Sequence, residues 1–158
     1  MLLSGASTRA GAGGSISPEE AEQYKARTLN TLRDLAVSGN TVLNVSDAAP
    51  PLMATLPGAK GDLKLRVAEV LSYVCEKQSQ VALVDAALDA AGADRVALLG
   101  HAAASARRCG NMLEQRQVTK VLELARTGQG EEATAAAALA GALRLSSADM
   151  LKLILDTK

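Results

Sequence analysis

The side chains that could do covalent chemistry are few in this chain, and they lie around its one histidine. Asp94 precedes His101 and Ser105 follows it within one predicted helix, and Cys109 comes directly after that helix. A Ser–His or Cys–His pair works only when the imidazole lies within hydrogen-bond reach of the nucleophile. This spacing does not bring nucleophile and base together, and no ligand-type residue stands at metal-binding spacing from His101. The sequence therefore predicts no catalytic residues, no metal site and no cofactor, so a chain that is not an enzyme.

The two cysteines, Cys75 and Cys109, fall in helical patterns and show no metal-binding spacing. We expect two buried free thiols in a reducing cytosol, with a disulfide as the alternative if their helices pack together. The first residues lack the basic region and long apolar run of a secretory signal. No apolar run approaches the roughly 18 residues that a membrane span needs. These observations predict a cytoplasmic protein without a membrane partner.

Charge and aromatic content bear on nucleic-acid binding. Seventeen basic residues balance seventeen acidic ones, and aromatic residues make up 1% of the chain. The one notable basic cluster is Arg107 and Arg108 with Arg116 and Lys120. Nucleic-acid binders use a wide basic stripe and base-stacking aromatics, which this chain lacks. We therefore interpret the cluster as helix C-terminal charge compensation and a solvated face.

Composition predicts an all-α fold. Hydrophobic residues make up 48% of the chain, but the aromatics are only Tyr24 and Tyr73, so the core must be built from Leu, Val and Ala. Ala and Leu are strong helix formers, and the residues that favour strands are sparse. A competing interpretation treats residues 81–84 and 96–99 as buried strands of a parallel sheet, but too few residues separate them for a comfortable crossover helix.

Start and stop signals divide the chain. Residues 1–16, rich in Gly, Ala and Ser, are predicted to be a flexible tail, and residues 17–158 a single domain. Ser17, Pro18 and Glu20 form the signature of a capped helix start. The predicted helices run from Pro18 to about Val37, then over about 47–56, 63–75, 79–90, 94–108, 111–127, 131–144 and 150–155.

A register recurs where three alanine-rich helices begin. The segments are Arg66–Leu71, Arg95–Gly100 and Glu132–Ala137, and such self-similarity every 30 to 40 residues or so is typical of stacked-helix repeats. Asp89 and Arg95 match the spacing of HEAT repeats, in which an Asp near the end of the first helix precedes an Arg opening the second. Residues 25–156 thus resemble HEAT or armadillo-type helical repeats.

The resemblance implies an α-solenoid: a right-handed superhelix of about three helical pairs with end-capping helices. It also implies a structural ladder, with Asp89 paired to Arg95 and a reversed pair of Arg126 and Glu132. In the earlier repeat Lys60 and Arg66 cannot pair. Second helices in such folds line a concave surface that commonly holds another protein, and the chain is compatible with a piece of a longer array.

The predicted function is a non-catalytic scaffold that binds a protein or peptide along this groove. The candidate contact residues lie off the main core stripes: Arg66, Glu69, Tyr73, His101 and Arg108. Tyr73 is the leading one, because an exposed aromatic suits a binding contact; the alternative is a ring packed on the next helix. Two other functions are kept as alternatives, a helical-repeat enzyme of lyase type and a nucleic-acid-binding module.

Overall fold

A computed structural model describes residues 17–39, 42, 44–148 and 151. Within these residues the chain is all-α and contains no strand, so the parallel-sheet alternative is wrong. The predicted tail, residues 1–16, and the predicted last helix, apart from Leu151, lie outside the described residues. The elements in chain order are α1 (Pro18–Ser38), a 3₁₀ helix (Val45–Ala48), α2 (Ala49–Thr55), α3 (Gly61–Leu71), α4 (Lys77–Asp89), α5 (Gly92–Cys109), α6 (Gln115–Thr127) and α7 (Gly130–Ala142).

The first helix begins as the sequence predicts. The Ser17 hydroxyl accepts a hydrogen bond from the Glu20 N–H at 3.2 Å, and the Glu20 carboxylate accepts one from the Ser17 N–H at 2.9 Å. This reciprocal pair satisfies two donors that the helix itself leaves free, and Pro18 occupies the first turn. The Ser17 N–H also lowers the pKa of Glu20. At the other end the chain leaves α1 through Gly39 in a left-handed conformation.

Helix α3 is shorter than expected, ending at Leu71 rather than near Cys75. Its last turn tightens, because the Tyr73 and Val74 N–H groups donate to the Val70 and Leu71 carbonyls in the i→i+3 pattern. The Ser72 hydroxyl also donates to the Glu69 carbonyl. Tyr73 and Cys75 therefore lie in the connection to α4 rather than on a helix.

The helices pack in two layers. In one layer α3 contacts α1 and α5, and α5 contacts α7; in the other, α4 contacts both α2 and α6. Between the layers α2 packs on α3, α4 on α5 and α6 on α7. Helix α5 is thus flanked on both sides and covered by α4, which agrees with its apolar residues extending over most of its circumference.

The core is aliphatic, as the composition predicts. Every fully buried hydrophobic residue in its main cluster is Leu, Val or Ala, from Leu29 of α1 to Leu143 beyond α7. Two glutamines, Gln80 and Gln117, are also fully buried within it. None of the described helices is both long enough and apolar enough to cross a membrane.

Three helices begin in the same way, at a glycine. Gly61, Gly92 and Gly130 are the first residues of α3, α5 and α7, and each has a positive φ between 54° and 59°. Six residues after each glycine comes a fully buried residue: Val67, Leu98 and Ala136. Arg66, Arg95 and Glu132 lie at different distances from these glycines and are therefore not equivalent positions.

Candidate functional site

A polar groove lies where α1, α3 and α5 meet. It is an open depression with a volume of about 250 Å³. We call this the polar groove and define it by its lining residues, Asn30 and Arg33 of α1, Asp62, Leu65, Arg66 and Glu69 of α3, and His101 of α5. Since three neighbouring helices supply the lining, the groove depends on their packing and not on a single loop.

Arg33 crosses from α1 to α3. Its Nε donates to Glu69 Oε1 at 2.6 Å, and the Glu69 side chain is 30% exposed. This hydrogen bond, with the negative charge of Glu69, raises the pKa of Arg33 above its ordinary value. The contact holds one guanidinium and one carboxylate in a defined position at the groove wall, and Arg33 Nη1 also lies 3.9 Å from Asp34 Oδ1.

Arg66 makes the second link between α3 and α1. Its Nε lies 2.5 Å from Asp62 Oδ2 one turn earlier on α3, and its Nη1 donates to Asn30 Oδ1 of α1 at 2.7 Å. Two partners on different helices restrict the rotation of the Arg66 side chain. An oriented guanidinium loses less conformational entropy when it binds a ligand than a free one does.

His101 forms the α5 side of the groove. It is half-buried, and burial lowers the pKa of the imidazole, an effect that the negative charge of Glu69 partly opposes. The ring is therefore neutral near pH 7, with one nitrogen able to donate and the other to accept a hydrogen bond.

Tyr73 and Arg108 form a stacked pair near the groove. The Arg108 guanidinium carbon lies 4.0 Å from the centroid of the Tyr73 ring, a cation–π contact. Arg108 Nη1 also donates to the Ser72 carbonyl at 2.6 Å. Tyr73 follows Glu69 of the groove by four residues in sequence. Tyr73 is half-buried with its ring against Arg108 of the neighbouring α5, and its role as a binding contact stays a prediction.

The five candidate contact residues thus fall in one region. Arg66, Glu69 and His101 line the polar groove, while Tyr73 and Arg108 form the neighbouring pair. Sequence reasoning missed the α1 side, Asn30 and Arg33. The available signal was their spacing of three, which places them on one helix face and repeats the spacing of Arg66 and Glu69, each 36 residues after its partner.

The predicted ladder is wrong in its pairing. Arg95 Nη1 lies 2.7 Å from Glu132 Oε2, and its Nη2 donates to the Leu88 carbonyl at 3.3 Å. Asp89 and Arg126 are exposed instead. The reason is geometric: Arg95 lies in the first turn of α5, next to the start of α7, where Glu132 also accepts from the Gly92 N–H at 2.6 Å.

The prediction of buried free thiols is also wrong. Cys75 and Cys109 form a disulfide with Cα atoms 5.3 Å apart, and Cys75 is exposed while Cys109 is half-buried. Packing of α3 on α5 brings the end of α5 to the loop after α3, which is the condition under which the sequence left a disulfide open.

Catalytic groups do not converge in the described part of the chain. Ser105 is fully buried and its hydroxyl accepts a hydrogen bond from Gln80 Nε2 at 3.3 Å. Cys109 is bonded to Cys75, so its sulfur is not a free nucleophile. No group of three or more His, Cys, Asp or Glu residues could hold a metal ion there. What the polar groove offers is oriented hydrogen-bond donors and acceptors.

The basic cluster is dispersed. Arg116 lies 3.5 Å from Asp85 and 3.6 Å from Glu114, while Arg108 is engaged with Ser72 and Tyr73. Two of its four members are therefore occupied within the protein.

Comparisons with protein-family models, curated proteins and solved structures find no match to this chain. The similarity to HEAT and armadillo repeats therefore stays a prediction from the residues.

Proposed function

We propose that this chain is a non-catalytic binding module that holds a segment of another protein in the polar groove. The observation that supports it best is the arrangement of Arg33 and Arg66, each held by a partner on the neighbouring helix, beside a neutral His101. These groups present directed N–H donors, and peptide carbonyls and side-chain oxygens are their natural acceptors.

The stacked pair extends the same proposal. Tyr and Arg are the residue types most enriched among the side chains that contribute most to protein binding, and Tyr73 and Arg108 lie side by side next to the groove. A depression of about 250 Å³ accommodates one or two side chains of an extended segment. It is small for most cofactors, since ligand pockets usually enclose about 300–1,000 Å³.

The proposal includes the finer architecture. Contacts between successive helices within each layer, together with the recurring glycines, support a right-handed superhelix of HEAT or armadillo type in which α3, α5 and α7 carry the binding side. We also propose a cytoplasmic location and a place within a longer repeat array. The proposed partner is a protein, and neither a membrane nor a nucleic acid.

Peptide display tests the function. A random-peptide library panned on the purified chain should enrich sequences whose binding falls by about tenfold or more in the Arg66→Ala and Tyr73→Ala variants. Lys120→Ala is the matched control, because Lys120 is exposed on α6, outside the groove and the stacked pair, and should bind like the wild type.

Two results would overturn the proposal. One is enrichment of peptides that bind the groove variants and the wild type equally. The other is a lack of specific peptides together with salt-sensitive binding of single-stranded DNA or RNA that Lys120→Ala weakens, because that pattern indicates phosphate contacts by the basic cluster.

A further inference from the structure

The Cys75–Cys109 disulfide lies at the junction that holds the stacked pair. Cys109 is the last residue of α5 and directly follows Arg108, while Cys75 follows Tyr73 by two residues in the α3–α4 connection. The Arg108–Ser72 hydrogen bond and the Arg108–Tyr73 contact cross this same junction. One covalent bond and two non-covalent contacts therefore determine the position of Tyr73 relative to α5.

Access distinguishes the two sulfurs. The residue Cys75 is exposed and Cys109 is half-buried, so we expect a thiolate from solution to attack on the Cys75 side. Attack there makes Cys109 the leaving group. Cys109 is the last residue of α5, and Arg107 and Arg108 lie in the same last turn. Exposed disulfides are in general the labile ones, whereas structural disulfides resist reduction.

We propose that Cys75–Cys109 is a thiol–disulfide exchange site whose substrate is a glutathione-type thiol and whose state regulates the groove. A thiolate attacks Cys75 Sγ, the Sγ–Sγ bond breaks, and its electron pair goes to Cys109, which takes up a proton. A second thiol attacks the mixed disulfide on Cys75, releasing the oxidised small-molecule disulfide and the Cys75 thiol. The protein disulfide is reduced to two thiols, and two small thiols are oxidised.

Reduction of the disulfide affects the stacked pair of Tyr73 and Arg108. In the oxidised protein the covalent link restrains residues 72–75 against the end of α5. After reduction only the Arg108 hydrogen bond and the cation–π contact remain, and both are partly exposed to water. The regulatory half of the inference rests on the proposed binding function; the exchange chemistry does not.

The exchange site is tested on the full chain in buffers of reduced and oxidised glutathione. Mass spectrometry after alkylation should show both cysteines reduced in reducing buffers and the disulfide reformed in oxidising ones. Oxidised glutathione should form a mixed disulfide with Cys75 in the Cys109→Ser variant, releasing one reduced glutathione, severalfold faster than with Cys109 in the Cys75→Ser variant. A disulfide that persists in millimolar reduced glutathione while the helices stay folded, or equal rates in the two variants, overturns the exchange site.

The structural effect is measured without a ligand. Reduction should increase hydrogen exchange at residues 72–76 and 108–112 while α6 and α7 remain protected and the circular dichroism is unchanged. In a Tyr24→Phe background Tyr73 is the only tyrosine in a chain without tryptophan, so its emission reports loss of the Arg108 contact. Global unfolding, or no change at these segments, would show a purely structural disulfide.

The binding effect is measured last, with a peptide obtained by display. Its affinity should fall severalfold on reduction, and the Cys75→Ser/Cys109→Ser double variant should bind with the reduced affinity in every buffer. Equal affinity in both states overturns the regulation. If display yields no groove peptide, the proposed function fails, but the exchange and hydrogen-exchange results still decide whether the redox site exists.

Discussion

Arg95 in the first turn of α5 lies 2.7 Å from Glu132 in the first turn of α7, and the two are 37 residues apart in sequence. Both side chains are largely covered, with 22% and 25% exposed. The same carboxylate accepts the Gly92 N–H at 2.6 Å. Glu132 therefore caps α5 from a different helix, placing negative charge at the positive end of the α5 dipole.

Glu132→Gln should destabilise the protein in a pH-dependent way. The Gly92 N–H and then Arg95 lower the pKa of Glu132 below its ordinary value of 4.5. A lowered carboxyl pKa contributes stability that is present above 4.5 and is lost as the pH falls through the folded-state value. Urea unfolding of wild type and variant should therefore differ at about pH 7, and the difference should shrink towards about pH 3.

Asp89 and Arg126, two exposed residues of the predicted ladder, provide the controls for Glu132→Gln. Asp89→Ala and Arg126→Gln should each change the free energy of unfolding by no more than about 0.5 kcal/mol, because both side chains lie at the solvent-exposed surface. A larger loss of stability for Asp89→Ala than for Glu132→Gln would support the Asp89–Arg95 pair implied by the HEAT resemblance.

Two glycines of α5 should respond to alanine with opposite signs. Gly92 has φ +59°, a conformation that costs an L-residue about 1–2 kcal/mol, so Gly92→Ala should destabilise by that amount. Gly100 is exposed in the interior of α5, and no atom lies within 4 Å of the position that an alanine Cβ would take, so Gly100→Ala should stabilise by up to about 1 kcal/mol. Thermal unfolding of both variants measures these changes in stability. Effects of the same sign would contradict the placement of Gly92 at the start of α5 and of Gly100 in its interior.

Local signals account for the parts of the fold that were predictable. Ser17, Pro18 and Glu20 specify the start of α1 because capping involves only neighbouring residues. The aliphatic core likewise follows from composition. The end of α3 was not predictable in this way, since the apolar spacing of Val70 and Leu71 continues to Val74, beyond the end of the helix.

Contacts between residues far apart in sequence explain which parts of the candidate site could not be predicted. Arg66, Glu69 and His101 could be selected because each lies off an apolar stripe of its own helix. Their partner Arg33 could not, because only the packing of α1 on α3 brings it to Glu69. The Cys75–Cys109 bond has the same origin, and its two halves lie 34 residues apart in sequence.

Two buried glutamines, Gln80 and Gln117, make further tertiary contacts. The two side chains should differ in their contribution to stability. Gln80 donates to Ser105 Oγ at 3.3 Å and to the Gly110 carbonyl at 3.0 Å, and it accepts from the Met112 N–H at 2.8 Å. Gln80→Leu leaves these groups without partners and should cost about 1–3 kcal/mol in urea unfolding.

Gln117→Leu is the matched comparison, and it should stay within about 1 kcal/mol of wild type. Gln117 Nε2 donates to Asp85 at 3.2 Å, but its buried Oε1 has no hydrogen-bond partner among the described residues. Leucine removes that unsatisfied oxygen while Asp85 keeps its contact with Arg116. If the two leucine variants lose equal stability, side-chain packing and not hydrogen bonding explains why glutamine occupies these positions.

The buried imidazole of His101 should make stability fall in mild acid. Burial lowers its pKa below the ordinary value of 6.5, so the unfolded chain binds more protons between these two values. The stabilising contribution of neutral His101 is complete above 6.5 and is lost as the pH falls through the folded-state value. The wild type should therefore lose more stability than His101→Asn between about pH 7.5 and about pH 5.

The choice of pH range separates the titration of His101 from that of the carboxylates whose pKa is lowered. Glu20, Glu114 and Glu132 have lowered pKa values, so all three carboxylates remain ionised at about pH 5 and contribute little to the change. Urea midpoints of the two proteins measured across this range isolate the imidazole. Parallel curves would mean that His101 is as well solvated in the folded chain as in the unfolded one, and that the polar groove does not hold it neutral.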